Sequence, residues 1–193
     1  MPAPLRVSQE ELVAAIRRIA EQDGIDAVTM SSVAAAVGMR TPSLYKRAAH
    51  RHELLRLAAD DAARELSTSA AAFSSNGADP DRDPATVLTG LARTLRAYVA
   101  TAPRVSALLF AAPSEQAAPS TASAEPILRT LLDAVSSAVP GDPLPAARTF
   151  TAWIFGFCTM EQAGAFRLGG DVDEAFEFGL DALLAAIGAR RQH

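Results

Sequence analysis

Cysteine is almost absent from this 193-residue sequence, which contains only Cys158 and no CxxC pair. A lone thiol cannot form an internal disulfide, and structural zinc sites need several Cys or His ligands at defined spacing. The sequence also lacks a signal-peptide core and any run near the roughly 18 apolar residues of a membrane span. These absences predict a cytoplasmic protein with no metal site and no cofactor.

Signatures of catalysis are absent too. There is no GxSxG motif, no phosphate-cradling glycine loop, no HExxH pair and no cysteine with a recognisable base nearby. Catalytic groups can also assemble in space without a sequence signature, so this absence is weak evidence. We expect no catalytic residues and no enzyme activity.

Aromatic residues make up only 6% of a chain that is 49% hydrophobic. Alanine and leucine, which favour helices, recur throughout, whereas β-branched residues rarely alternate with polar ones over the length of a strand. The pattern predicts an all-α protein with about nine helices.

Charge is distributed unevenly along the chain, whose formal net charge is −4. Five basic residues face one acid between Met30 and Arg56, whereas residues 57–193 carry ten arginines and sixteen acids. This distribution predicts a small basic head on an acidic body. Taken alone, the basic run is better explained by a solvated surface that has no partner.

Capping signals define three short N-terminal helices. Ser8 and Glu11 form a capping-box pattern for a first helix that ends at Gly24. Thr29 caps a second helix, predicted as Met30 to Val37 with Gly38 as its stop, and Thr41-Pro42 opens a third that extends to about Arg47. Two short helices joined by a glycine-containing turn are typical of a helix-turn-helix, with the second as recognition helix.

The remaining periodicity predicts a long connector helix and a helical body. The connector extends from Arg51 to about Phe73, and polar segments near 74–84 and 111–126 are predicted as a loop and a mobile linker. Body helices are predicted from Pro84, at 103–110, at 126–139, at about 145–166 and at 172–187. We therefore predict a DNA-binding domain at 1–52 and a body at 53–193, with the connector at 53–73.

Residues 24–55, GIDAVTMSSVAAAVGMRTPSLYKRAAHRHELL, resemble the DNA-binding head of the TetR (tetracycline repressor) family. The matching features are Thr29 at the cap of the second helix, Val37-Gly38 at the turn, Leu44-Tyr45 in the recognition helix and Leu54-Leu55 at the start of the connector. Two positions depart from the family pattern, because Ala48 replaces an aromatic residue and Arg51 replaces a lysine. In the body, Trp153, Gly156 and Glu161 resemble the Trp-His-Gly signature of one branch, with Phe155 in place of the histidine.

The resemblance and the chemistry of the head predict a set of DNA-binding residues. Arg40 can reach guanine O6 and N7, while Lys46, Arg47 and Arg51 can neutralise phosphates. The resemblance assigns Tyr45 to a backbone phosphate, although a helical tyrosine taken alone is more often a packed aromatic. The predicted DNA-binding residues are Thr29, Arg40, Thr41, Ser43, Tyr45, Lys46, Arg47 and Arg51.

The resemblance also implies an effector cavity in the body and a dimer interface on the last two helices. Trp153 and Phe157, four apart on one helical face, are the leading cavity candidates, and ordinary core packing is the alternative for the body aromatics. The predicted effector-binding residues are Trp153, Phe157, Phe110, Tyr98, Arg96 and Glu161.

Together these features predict a homodimeric regulator, a repressor that a small, largely apolar effector releases from double-stranded operator DNA. One alternative is the same DNA-binding regulator without a small-molecule ligand. A remote alternative is an enzyme with a vestigial DNA-binding head.

Overall fold

The computed structural model describes residues 7–71 and 83–189, and within these ranges it contains nine α-helices and no strand. This confirms the predicted all-α class. The helices are α1 (Gln9–Asp23), α2 (Met30–Ala36), α3 (Thr41–Leu44), α4 (Arg51–Ala70), α5 (Pro84–Thr101), α6 (Pro103–Phe110), α7 (Thr121–Ala138), α8 (Leu144–Gln162) and α9 (Val172–Ala189). None of the helices in the described ranges is long and apolar enough to cross a membrane.

The first helix begins and ends where its caps predict. The Glu11 amide donates to Ser8 Oγ at 3.0 Å, and the Ser8 amide donates to the Glu11 carboxylate at 2.7 Å. Gly24 ends the helix with a φ of 99°, a conformation that favours glycine. Between these caps the inward face is apolar, and Leu12 and Ile16 are fully buried.

The third helix is shorter than predicted, because α3 ends at Leu44 and not near Arg47. After Leu44 the chain makes a turn in which the amides of Arg47 and Ala48 both donate to the Leu44 carbonyl, at 2.8 and 3.0 Å. A single helical turn is unstable in isolation. Its place in the head therefore depends on tertiary contacts, including the burial of Leu44 and Ala48.

The described residues form two compact units. Unit 1 contains 7–64 and 102–123, and unit 2 contains 65–71, 83–101 and 124–189. Helix α6 thus belongs to unit 1, although its residues fall within the body predicted from the sequence. The predicted functional boundary at residue 52 stays a prediction.

Reciprocal capping holds α6 against α1 within unit 1. The Glu21 carboxylate accepts from the amides of Arg104 and Val105 at 3.2 and 2.7 Å, at an α6 N-terminus that has no side-chain cap of its own. The Arg104 guanidinium donates in return to the Glu21 carbonyl at 2.8 Å. A carboxylate at one helix N-terminus and a cation at the other helix's C-terminus both complement the helix dipoles.

The segment predicted as a mobile linker at 111–126 has defined local structure and packing contacts. Residues 115–117 form a 3-10 turn whose Ala117 is fully buried, and the Ser120 amide donates to the Asp60 carboxylate at 2.7 Å. Helix α7 begins at Thr121, five residues before the predicted start at Pro126, which lies inside the helix. The predicted loop at 74–84 and the end of the connector at Phe73 lie largely outside the described residues, while Pro84 begins α5 as predicted.

Helices α8 and α9 approach closely where Trp153 packs over Gly179. A Cβ atom added at Gly179 would lie 2.4 Å from Trp153 Cζ2, inside any acceptable contact distance. Because the indole is itself held by Phe157 and Phe176, it has little freedom to move away.

We expect Gly179→Ala to lower the free energy of unfolding by about 1–3 kcal/mol, as overpacking of a core commonly does. Gly188→Ala on the same helix is the matched control, since a Cβ there meets nothing within 4 Å and alanine favours helix by up to about 1 kcal/mol. Urea unfolding measures both changes. Equal stabilisation of the two variants would contradict the close α8–α9 packing.

Candidate functional site

The recognition helix presents polar side chains on one side and a buried leucine on the other. Leu44 has no exposed surface, whereas Tyr45 is 51% exposed. The other exposed residues around this helix are Arg40, Pro42, Ser43 and Lys46, and Thr41 is partly exposed. The structure therefore gathers six neighbouring residues, five of them predicted DNA contacts, on the outside of the head.

Pro42 is the member of this group that the sequence reasoning did not select. We selected it only as a helix-starting residue of the first turn, but its apolar ring is also exposed, close to the exposed Arg40 and Ser43 in the sequence. An apolar contact of this kind suits the methyl group of thymine in a major groove.

Thr29 is engaged as the cap of α2. Its hydroxyl accepts from the Ser32 amide at 3.0 Å, and the Ser32 hydroxyl in turn accepts from the Thr29 amide at 2.9 Å and donates to the Ala27 carbonyl at 2.7 Å. This small network orients the start of α2. A direct contact of Thr29 with DNA stays a prediction.

Arg47 and Arg51 have partners inside the head. Arg47 donates to the Val7 carbonyl and to Gln9 Oε1, both at 2.7 Å. Arg51 donates through Nε to the Val28 carbonyl at 2.8 Å and through Nη2 to the Ile25 carbonyl at 2.6 Å. Lys46, in contrast, is exposed and has no partner among the residues that the structure describes.

In unit 2, the predicted effector residues Trp153 and Phe157 lie in a cluster of four aromatic rings. The Phe157 ring centroid is 5.7 Å from Trp153, 5.2 Å from Phe176 and 4.8 Å from Phe166. Phe176 packs against both Trp153 and Phe157 in this aromatic cluster and has no exposed surface. The sequence reasoning missed Phe176, although its spacing of four from Leu180 marks the buried face of α9.

Arg96 joins three helices beside the aromatic cluster. It donates to both oxygens of Glu161 on α8, at 3.0 and 2.5 Å, and lies 2.7 Å from the Asp173 carboxylate on α9. Its guanidinium carbon is 4.6 Å from the Phe176 ring centroid, within cation–π distance. The hydrogen bond to Glu161 is the largest cause that raises the pKa of Arg96 above its ordinary value, so the group is charged at every accessible pH.

The six predicted effector residues are not all brought together. Tyr98 lies in unit 2 and donates from its hydroxyl to Glu65 at 3.2 Å, while Phe110 lies on α6 in unit 1. Four of the six, Trp153, Phe157, Arg96 and Glu161, form one continuous group around Phe176. A small cavity of about 80 Å³ in unit 2 is lined by other residues of α5, α7 and α9.

Cys158 lies on the inward face of α8 with 1% of its surface exposed. Desolvation raises the pKa of its thiol to about 11, so the nucleophilic thiolate is scarce at neutral pH. Both properties are those of a packing residue.

The outward faces of α8 and α9 carry mostly small residues at alternating spacings of three and four. On α9 the exposed stripe is Ala175, Phe178, Ala182, Ala185 and Ala189, and on α8 the corresponding stripe is Thr149, Ala152, the partly exposed Gly156 and Thr159, continued by Ala163 at the C-cap. Phe178 is 77% exposed, and no atom lies within 4 Å of a Cβ placed at Gly156. Spacing of this kind is typical of helices that pack lengthwise against other helices.

A helix-turn-helix with an exposed cationic recognition face, followed by a helical body, defines a DNA-binding regulator. Two models of the same family match the chain, the one for bacterial regulatory proteins of the tetR family at residues 12–58 and the one for the tetracyclin repressor-like C-terminal domain at residues 88–183. The chain belongs to the TetR family of transcriptional regulators. Its membership of the Trp-His-Gly branch stays a prediction.

Solved structures share this fold across nearly the whole chain. A protein from Streptomyces coelicolor A3(2), described as a possible TetR family transcriptional regulator, is 23% identical with a TM-score of 0.74, covering 94% of this chain and 99% of that one. BioQ bound to its double-stranded DNA operator is 24% identical, with a TM-score of 0.70 and coverage of 95% and 99%. TetR-Q116A from Acinetobacter baumannii AYE in complex with minocycline is 22% identical, with a TM-score of 0.67 and coverage of 96% and 99%. Among curated protein sequences, none matches this chain.

Proposed function

We propose that this protein is a homodimeric repressor that binds operator DNA through α3 and is released by a small, largely apolar effector. The observation that carries the DNA-binding part is the exposure of polar and cationic side chains at and beside α3, namely Arg40, Ser43, Tyr45 and Lys46. One of the structural neighbours, BioQ, has been solved with its operator.

Sequence is read by the few side chains that a short helix can insert into a major groove. Arg40, immediately before α3, is the candidate for bidentate hydrogen bonds to guanine, and Ser43 and Thr41 suit short contacts to bases or phosphates. Lys46 and the Tyr45 hydroxyl contact the phosphate backbone of the DNA. Removing Arg40 should therefore relax preference at one operator position at a cost of about 1–3 kcal/mol.

The outward stripes of α8 and α9 support a homodimer. Two copies related by a two-fold axis would pair these four helices and bury both stripes. The dimer then presents two recognition helices to successive major grooves, roughly 34–36 Å apart.

The aromatic cluster supports an apolar effector, with Arg96 and Glu161 as its polar neighbours. One structural neighbour, TetR-Q116A, has been solved in complex with a small molecule, minocycline. A ligand that favours one body conformation shifts operator affinity through a reciprocal coupling, and about 1.4 kcal/mol suffices for tenfold release. We assign transmission of that coupling to the connector α4, which contributes residues to both compact units.

Selection of duplexes from a randomised pool, followed by titration of an enriched duplex at several salt concentrations, tests the DNA-binding role. We expect a steep loss of affinity with salt, and Lys46→Gln should reduce the slope of log K against log salt by about 1.8, because the dimer loses one phosphate contact, worth about 0.9, in each protomer. Arg129→Gln on α7 should leave the slope unchanged, because its charge pairs with Glu125. Failure to enrich any duplex, or affinity indifferent to salt, would refute the role.

A thermal-shift screen of small apolar compounds, followed by operator titration with each hit, tests the effector. Hits should raise the unfolding temperature and weaken operator binding. A ligand that binds tightly without changing DNA affinity would refute release by an effector. The absence of any hit would favour the regulator without a small-molecule ligand.

A further inference from the structure

Two arginines that follow the recognition helix, Arg47 and Arg51, hydrogen-bond to other parts of the head. We infer that Arg47 and Arg51 are positioning residues for α2 and α3, and that they do not act as the phosphate contacts that their charge suggests. The inference rests on the proposed DNA-binding function and names the residues that orient its reading face.

Arg51 occupies an electrostatically unfavourable position unless it has local acceptors. It is the first residue of α4, where the positive end of the helix dipole repels a cation. The carbonyls of Val28 and Ile25 lie 2.8 and 2.6 Å from its Nε and Nη2. The nearby Asp26 carboxylate is fully exposed at 3.3 Å, so the two carbonyls are its principal acceptors.

The Val28 and Ile25 carbonyls lie just before α2, so their hydrogen bonds with Arg51 affect the position of that helix. Val28 is fully buried and directly precedes Thr29, the residue that caps α2. A guanidinium that binds both Val28 and Ile25 therefore sets where α2 begins relative to α4. Helix α2 has only seven residues, so its orientation depends on such anchors.

Arg47 acts at the opposite end of the same motif. It lies in the turn after α3 and donates to the Val7 carbonyl and the Gln9 side chain, which stand at the start of α1. The end of the recognition helix is thereby tied to the first helix of the head. Together the two arginines hold the start of α2 and the end of α3, and the exposed Lys46, directly before Arg47, is left to contact the DNA backbone.

Exchange of lysine and arginine separates positioning from charge. Lysine keeps the positive charge but has a single nitrogen, which cannot span two carbonyls as a guanidinium does. A phosphate contact tolerates this exchange, whereas a guanidinium that holds two acceptors of the head together does not. Lys46 provides the matched comparison, since Lys46→Arg keeps the charge at a position with no internal partner in the described head.

The test titrates Arg51→Lys, Arg51→Gln, Arg47→Lys, Lys46→Arg and Lys46→Gln with a duplex enriched by the wild-type protein. We expect Arg51→Lys and Arg51→Gln to weaken binding similarly, by about tenfold or more, with an unchanged salt slope, and Arg47→Lys to do the same. Lys46→Arg should bind as wild type does. Wild-type affinity of Arg51→Lys, together with a slope reduced by about 1.8 in Arg51→Gln, one contact per protomer of the dimer, would overturn the inference.

Hydrogen exchange of the α2 amides gives a readout that needs no DNA. Arg51→Lys should speed exchange at residues 30–36, and Lys46→Gln should not. Unchanged exchange in Arg51→Lys would overturn the positioning role, even if the wild-type protein enriches no duplex and the proposed function itself fails. If Arg51→Gln does not fold, hydrogen exchange in the milder Arg51→Lys variant still tests the positioning role.

Discussion

Ala182→Arg should convert the protein from dimer to monomer and weaken operator binding by about a hundredfold or more. Ala182 is the central residue of the exposed α9 stripe, with Phe178 and Ala185 as its neighbours on that face. A guanidinium placed between two close-packed helices must lose its water without gaining a partner, which costs several kcal/mol. The loss of a dimer also removes bivalent binding, and bivalency can raise affinity by about 10² to 10⁴.

The control is Ser136→Arg, which adds the same charge at an exposed position of α7, outside both stripes. Sedimentation velocity gives the oligomeric state, and fluorescence anisotropy with an enriched duplex gives the affinity. A dimeric Ala182→Arg protein would show that the interface lies elsewhere. A monomer that binds as tightly as wild type would show that pairing of the two heads contributes nothing to affinity.

Local signals account for the features that the sequence predicted well. The Ser8–Glu11 capping box and the glycine at 24 each act within a few residues, so the bounds of α1 could be read directly. The same holds for Thr29 at the start of α2 and for Pro84 and Pro103 at the starts of α5 and α6.

Features that depend on distant partners could not be read in this way. Ordering of the segment after α6 depends on burial of Ala117 and on a bond from Ser120 to Asp60, sixty positions away. Likewise, nothing local distinguishes the exposed Lys46 from Arg47, because the partners of Arg47 lie about forty residues earlier. Charge alone therefore placed the exposed Lys46 in one group with Arg47, which hydrogen-bonds to the start of the head.

The body shows the same limit at Phe176 and Phe178. Both are phenylalanines on one amphipathic helix, but Phe176 is fully buried whereas Phe178 is 77% exposed. Phe176 contacts the Trp153 and Phe157 rings, at centroid distances of 5.5 and 5.2 Å, and lies under the Arg96 guanidinium. The two side chains thus belong to different parts of the proposed function, one to the interior of the body and the other to its dimer face.

We expect Phe176→Ala to lower the free energy of unfolding by about 3–5 kcal/mol, the usual cost of emptying a buried phenylalanine site. The loss arises from the cavity between α8 and α9 and from removal of the ring beneath Arg96. Phe178→Ala is the matched variant, with the same substitution two residues away. It should instead weaken dimer association, because its ring has little to contact within one chain.

Urea unfolding at matched protein concentration and sedimentation equilibrium together separate the two effects. Phe176→Ala should shift the unfolding midpoint at every concentration, since its contacts are internal to the chain. Phe178→Ala should raise the dimer dissociation constant, and its effect on unfolding should vanish at concentrations where both proteins are monomeric. If Phe178→Ala destabilised the monomer as much as Phe176→Ala, the outward stripe would be part of the core and not a surface for a second copy.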